Sequence, residues 1–450
     1  MFSKSSLLAC LGLVTTAQAA VQFLGVAMAG GDFDCYIDGS CPLSAAALPL
    51  TELGHADGAG QMKHFVDDDG VNMFRLPTSW QFLINSDTEV SDTLDPTNAG
   101  RYDQFVQACL STGAYCMIDV HNFARFNGGI IGQGGPSDDM FVAIWAALAK
   151  KYAKDERVVF EITNEPHDLD VNLWVQTCQK VVTGIRNAGA TTQMILLPGS
   201  NFDSAATITS AAGGADALLE ITNPDGSFDG LYLDIHKYLD NNNSGQYEEC
   251  TTNNVGNFSI VADYLRQKKR QALISETGAS SSSSCMKDFC TQNAYINEND
   301  DVFIGYVAWA AGQFDTSYVL SLTPTLQPDG SYTDNELFSQ CVLAPYQKAG
   351  GALLTVKTSS ASPSSTTTAK ATKTRTQTSS SSSKAAETSS SSSSSISSST
   401  SGISSSVSHA ASLSSSTSAP APSSTNAAAS QAIQVAKNVI VAVVAGAALL

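Results

Sequence analysis

Between about residues 20 and 356, short β-rich runs alternate with longer stretches whose apolar residues recur at helical spacing. That alternation implies βαβ units and a parallel sheet. Strands are expected at residues 22–27, 71–75, 114–119, 158–161, 194–197, 231–235, 272–275 and 303–308, with helices in the gaps. One helix should start near Ser137, with Phe141, Ile144, Trp145, Leu148 and Tyr152 on a single face. Another should start at Asp170 and stop before Gly189, a suitable C-cap. Eight such units favour a closed barrel over an open sheet. The expected fold class is α/β, a (β/α)8 TIM barrel, followed by a disordered Ser/Thr-rich tail.

Composition divides the chain further. Residues 1–19 carry Lys4, an apolar stretch over 7–14 and Ala17-Gln18-Ala19, the pattern of a signal peptide. Residues 20–356 have globular composition and suffice for one barrel domain. Residues from Lys357 onward are mostly Ser, Thr and Ala, too polar to offset their chain entropy by burial. The tail contributes about +5 and the signal segment about +1 to the total of −18, which leaves the globular zone near −24. Such a surface repels nucleic acid. It says nothing decisive about a neutral substrate.

Cys10 lies in the signal segment. The remaining cysteines are Cys35, Cys41, Cys109, Cys116, Cys178, Cys250, Cys285, Cys290 and Cys341, an odd set in a chain bound for an oxidising compartment. No Cys-x-x-Cys or Cys/His cluster suggests zinc, and no metal is expected. Cys178 falls in the helical repeat Val171, Trp174, Val175, Cys178, Val181, Val182, Ile185 and reads as a buried apolar residue. The other eight are free to pair.

The strand ends carry the chemistry. Arg75 ends the second expected strand, His121 follows the third, and Asn164-Glu165 follows the fourth. His236 follows the sixth, Glu276 the seventh and Trp309 the eighth. In a barrel these ends converge on the C-terminal face, where active sites lie. A lone loop glutamate is ordinarily a solvated charge. Two glutamates converging there suit cleavage of a glycosidic bond, which needs one carboxyl group to protonate the leaving oxygen and another to attack or to activate water. Facing carboxylates also push each other's pKa apart. Around them, Asn164 can bond a 2-hydroxyl, Arg75 can hold Glu276 ionised, and Tyr238 can donate to it. His121 and His236 can bind hydroxyls or the acid, and Trp309 offers a flat face for a pyranose.

The stretch from Asp119 to Pro136, DVHNFARFNGGIIGQGGP, closely resembles fungal endo-β-1,4-glucanases (cellulases) of glycoside hydrolase family 5. So do Asn164-Glu165-Pro166-His167-Asp168, Thr222-Asn223-Pro224-Asp225-Gly226, Asp234-Ile235-His236-Lys237-Tyr238-Leu239-Asp240 and Cys250-Thr251-Thr252-Asn253-Asn254. The resemblance spans the globular zone in order. It implies a (β/α)8 barrel, a retaining mechanism and no cofactor. It assigns the acid/base to Glu165 and the nucleophile to Glu276, with Arg75, His121, Asn164, His236, Tyr238 and Trp309 in support. It further implies the disulfides Cys35–Cys41, Cys109–Cys116, Cys250–Cys285 and Cys290–Cys341. A retaining pair should have its carboxyl groups ~5–5.5 Å apart, and an inverting pair ~6.5–9.5 Å. Family members often carry a small Cys-rich cellulose-binding module at the N-terminus, whereas here the barrel is expected to start directly after the signal peptide. Phe202 also stands where relatives usually have Trp, and residues 309–314 and 26–30 differ in detail.

The Ser/Thr-rich run at 357–426 reads as an O-glycosylated stalk. Beyond it, the small triplet Asn426-Ala427-Ala428, a polar spacer and the apolar end 439–450 match a GPI-attachment signal, with 427–450 as its propeptide. The apolar end is shorter than the ~20 residues of a membrane span. Asn242 and Asn257 begin possible N-glycan acceptor triplets. The expected protein is thus a secreted, surface-tethered monomer that takes a β-glucan polysaccharide and meets the membrane only through its anchor. Two other functions fit the same pattern: a hydrolase or transglycosylase for another β-glucan or a mannan, and a non-catalytic carbohydrate-binding surface protein. The second would be expected to have lost Glu165 or Glu276, and both are present.

Overall fold

The computed structural model describes residues 20–351. The expected signal peptide, stalk and attachment signal lie outside the described residues. Eight parallel strands close into a barrel. They are β1 (Phe23–Ala29), β2 (Met73–Thr78), β3 (Tyr115–Val120), β4 (Val158–Glu161), β5 (Met194–Leu197), β6 (Leu231–His236), β7 (Ala272–Thr277) and β8 (Phe303–Gly312). Each pairs with its neighbours in chain order, and β1 pairs with β8. Every predicted strand is present.

Six strands run further toward their C-terminal ends than the sequence pattern suggests. Arg75, Glu276 and Trp309 consequently lie within strands rather than at or beyond their ends, and His236 is the last residue of β6 rather than the first after it. Polarity is a poor stop signal here, because inside a barrel a polar side chain is buried against polar neighbours and its backbone stays in the ladder. His236 and Glu276, for example, are register partners on β6 and β7.

Alternation along the strands sorts the core into two parts. Phe23, Met73, Met117, Val159, Leu196, Leu273 and Val307 form one buried cluster that fills the barrel. The opposite phase, including Leu24, Phe74, Ile118, Phe160, Ile195, Leu233 and Ile274, packs with the helices. Two residues beyond the interior positions 73, 117, 159, 232 and 273 come Arg75, Asp119, Glu161, Asp234 and Ser275, all fully buried. The apolar plug is therefore capped by a polar layer, and this layer underlies the site.

A short helix, Trp80–Ile84, follows β2. The other α-helices of the described residues are α1 (Gly58–Asp67), α2 (Pro96–Ser111), α3 (Asp138–Lys151), α4 (Val171–Asn187), α5 (Ala215–Leu218), α6 (Val255–Lys268), α7 (Ser283–Asn297) and α8 (Ala344–Lys348). A π-helical segment, Phe338–Leu343, leads into α8. Ser137 caps α3 by accepting from the Met140 amide, and Asp170 caps α4 by accepting from Asn172 and Leu173. Helix α5 is a single turn. The four disulfides implied by the resemblance are all formed, with Cα separations from 4.1 to 6.0 Å. Cys178 is unbridged and buried on α4 beside Trp174, Val181 and Val182.

Candidate active site

Arg75 organises the polar layer. Its Nε and one terminal nitrogen fork onto Glu161 at 2.7 and 2.5 Å. The same terminal nitrogen reaches Asp119 at 2.9 Å and donates to Asn164 Oδ1 at 2.8 Å. The other terminal nitrogen donates to Glu276 Oε2. A planar fork of five donors suits such a position as a point-charge lysine would not. Binding Arg75 commits the Asn164 carbonyl oxygen and leaves its NH2 group available to a ligand.

Glu276 sits on β7 with a side chain 7% exposed. Tyr238 donates to its Oε1 at 2.8 Å. Burial pushes the carboxyl upward. Arg75, then His236 and His121, and the Tyr238 hydrogen bond outweigh that and hold it below the usual range. Glu165 follows β4 in a left-handed backbone conformation, φ 42°, and its side chain is 18% exposed. Its Oε1 lies 3.0 Å from Nδ1 of His236, which is 3.9 Å from Glu276 Oε1. One oxygen of each glutamate and a ring nitrogen of His236 fall within 4.8 Å of one another. Burial opposes a charge on His236, but Glu276 and the bond to Glu165 lift its pKa to about 10. The imidazolium thus stands between the two carboxyl groups.

His121 bonds Asp119 through Nδ1 at 2.7 Å and stacks on Trp309 with ring centroids 5.8 Å apart. Burial lowers its pKa and Asp119 more than restores it, for a net rise. Trp309 donates to the Tyr318 hydroxyl at 3.3 Å, and its indole lies 5.7 Å from the Arg75 guanidinium. Phe314 stacks on Tyr318 at 3.8 Å and meets Phe33 at 4.8 Å, which extends an aromatic surface on one side. On another side Phe202 stacks on His167 at 4.5 Å. All eight candidate residues are in this one constellation. None of them lines the 360 Å³ hollow among Leu43, Leu48, His55, Phe82 and Arg101.

A profile of the family described as Cellulase (glycosyl hydrolase family 5) matches residues 41–312. The chain belongs to glycosyl hydrolase family 5. It is 52% identical over 329 residues to "Endoglucanase EG-II" of Hypocrea jecorina, covering 72% of this chain and 78% of that protein. It is 42% identical over 311 residues to "Manganese dependent endoglucanase Eg5A" of Phanerodontia chrysosporium, covering 68% and 76%. The crystal structure of Cel5A (EG2) from Hypocrea jecorina superposes with a TM-score of 0.70 at 51% identity, covering 72% of this chain and 99% of that one.

Several residues of this candidate site escape a reading of strand ends. Asp119 orients His121 and touches Arg75, Glu161 takes the guanidinium fork, and Tyr318 holds Trp309. Asp234 accepts from Ser275 within the same buried layer. Burial drives the pKa values of Glu161, Asp203 and Asp234 upward. A signal for the first two was present. Asp119 and Glu161 fall two positions beyond apolar interior residues, and they are register partners on adjacent strands.

Proposed function

We propose that the chain is a secreted endo-β-1,4-glucanase that hydrolyses internal β-1,4-glucosidic bonds with retention of configuration, tethered at the cell surface through a GPI anchor. Glu165 is the acid/base and Glu276 the nucleophile. The observation that carries the reading is the differential setting of two close carboxyl groups. Glu276 is held ionised by Arg75 and Tyr238, while an oxygen of Glu165 lies within 4.8 Å of it beside His236. A gap that small suits direct attack and leaves little room for the water that inversion requires.

In the first step Glu276 attacks the anomeric carbon as Glu165 gives its proton to the departing glycosidic oxygen. In the second, Glu165 takes a proton from water, the water oxygen attacks the anomeric carbon, and the Glu276 ester bond breaks. The NH2 of Asn164 binds the 2-hydroxyl, a contact that strengthens as oxocarbenium character develops. The Trp309 indole carries the pyranose face. The fungal relatives named as endoglucanases support a β-1,4-glucan substrate for this chain. The apolar C-terminal run and the small-residue triplet before it support the anchor.

The test is hydrolysis of a panel of soluble β-1,4-glucan, mixed-linkage glucan, β-1,3-glucan and mannan. It should be run in chelated buffer and again with MnCl2, since one relative is named manganese dependent. Rapid viscosity loss on β-1,4-glucan with short oligosaccharide products is expected. Activity confined to mannan or β-1,3-glucan would overturn the substrate assignment.

A further inference from the structure

On the flank of the barrel, far from Glu165 and Glu276 in sequence, a second set of ionisable groups converges. His64 is on the last turn of α1, Asp68 and Asp69 follow it, and Asp334 belongs to the segment before α8. His64 Nε2 lies 3.0 Å from Asp334 Oδ1 and 3.6 Å from Asp69 Oδ2. One atom of each of the three residues lies within 4.8 Å of the others. Donor atoms about 2.0–2.2 Å from a shared ion are themselves about 3–3.6 Å apart, so the two measured spacings suit one cation.

Two further features point to a ligand. Asp69 is only 6% exposed, and its Oδ2, directed at His64 Nε2, is buried with no hydrogen-bond partner. A buried carboxylate oxygen without a partner is costly. The far side of the His64 ring is also arranged for ligation, because Nδ1 bonds Asp68 Oδ2 at 2.7 Å. A metal-bound histidine characteristically gives its other ring nitrogen to a carboxylate in this way. Asp68 is 67% exposed, so the cluster is reached from the surface.

We propose that His64 Nε2, Asp69 and Asp334 form a binding site for a divalent transition-metal ion, with Asp68 orienting the histidine. One imidazole and two carboxylates suit Mn²⁺ or Zn²⁺ better than Ca²⁺, which takes all-oxygen sets. No compact motif announces the site, since His64 and Asp334 are 270 residues apart. The ion would tie the first α/β unit of the barrel to the last. The tie also bears on the candidate active site. Asn335, next to Asp334, donates to the Ser321 carbonyl, whose own amide bonds Tyr318, the residue that holds Trp309.

The experiment uses the full chain stripped with EDTA and desalted, then titrated separately with MnCl2 and ZnCl2 by calorimetry and thermal unfolding. Mn²⁺ is also followed by electron spin-echo spectroscopy. One equivalent should bind, the unfolding temperature should rise with metal concentration, and bound Mn²⁺ should couple to an imidazole nitrogen that is lost in His64→Gln. Asp334→Asn and Asp69→Asn should each raise Kd by at least about tenfold, and Asp68→Asn by about 10–100-fold. The paired variant Glu165→Gln/Glu276→Gln should keep the site. Absence of saturable binding to the stripped wild type would overturn the proposal. So would binding that survives Asp69→Asn and Asp334→Asn but disappears in the glutamate pair.

Discussion

Arg75 is the side chain on which most others at the site depend. It is fully buried and contacts Glu161, Asp119, Asn164 and Glu276. Removing one partner of a buried charge network leaves the others uncompensated, at a cost of about 3–5 kcal/mol. Arg75→Met should therefore lower unfolding free energy by about that amount in denaturant titrations. It should also move the acidic limb of the kcat/KM profile to higher pH, because Arg75 leads the influences that hold Glu276 down. His236 allows a test of opposite sign. Its folded pKa of about 10 lies above the ordinary histidine value of 6.5. Its stabilisation is fully present below the lower value and is lost as pH rises through the upper. The stability gap between wild type and His236→Gln should be widest near pH 6 and shrink toward pH 10. A gap that widens with rising pH would contradict the charged histidine.

At the scale of elements, α4 gives the simplest check. Burial pushes the Cys178 thiol well above its ordinary pKa, so it should be inert. Ellman's reagent should find no thiol in the native protein and one after denaturation without reductant. Asp170→Ala, which removes the α4 cap, should cost about 1 kcal/mol. These elements were legible because their signals are local: an apolar stripe, a capping aspartate, a glycine stop. The β-strands were legible in position but not in extent. Arg75, His236 and Glu276 look like terminators, and the barrel interior instead buries them in register. The candidate site was legible as a set, since each of its eight residues lies at or near a strand end. Its buried supports were not. Asp119 follows the apolar run 116–118 and looks like the start of a loop, and only its pairing across to Glu161 makes it part of the polar layer. The His64 cluster was invisible for a different reason, being assembled from the two ends of the barrel by closure alone.

At the scale of the molecule, a closed barrel brings Glu165, after β4, and Glu276, on β7, to one mouth although 110 or so residues separate them. On the proposed function these two groups divide the chemistry, with Glu276 as nucleophile and Glu165 as acid/base. Azide rescue of the two alanine variants on an activated aryl β-cellobioside separates the roles. Glu276→Ala should be nearly inactive, and azide should restore turnover by attacking from the vacated side to give the α-glycosyl azide. Glu165→Ala should lose least on the activated leaving group, and azide should give the β-glycosyl azide from the glycosyl-enzyme. Near-wild-type activity of Glu276→Ala without azide, or α-azide product from Glu165→Ala, would contradict the account.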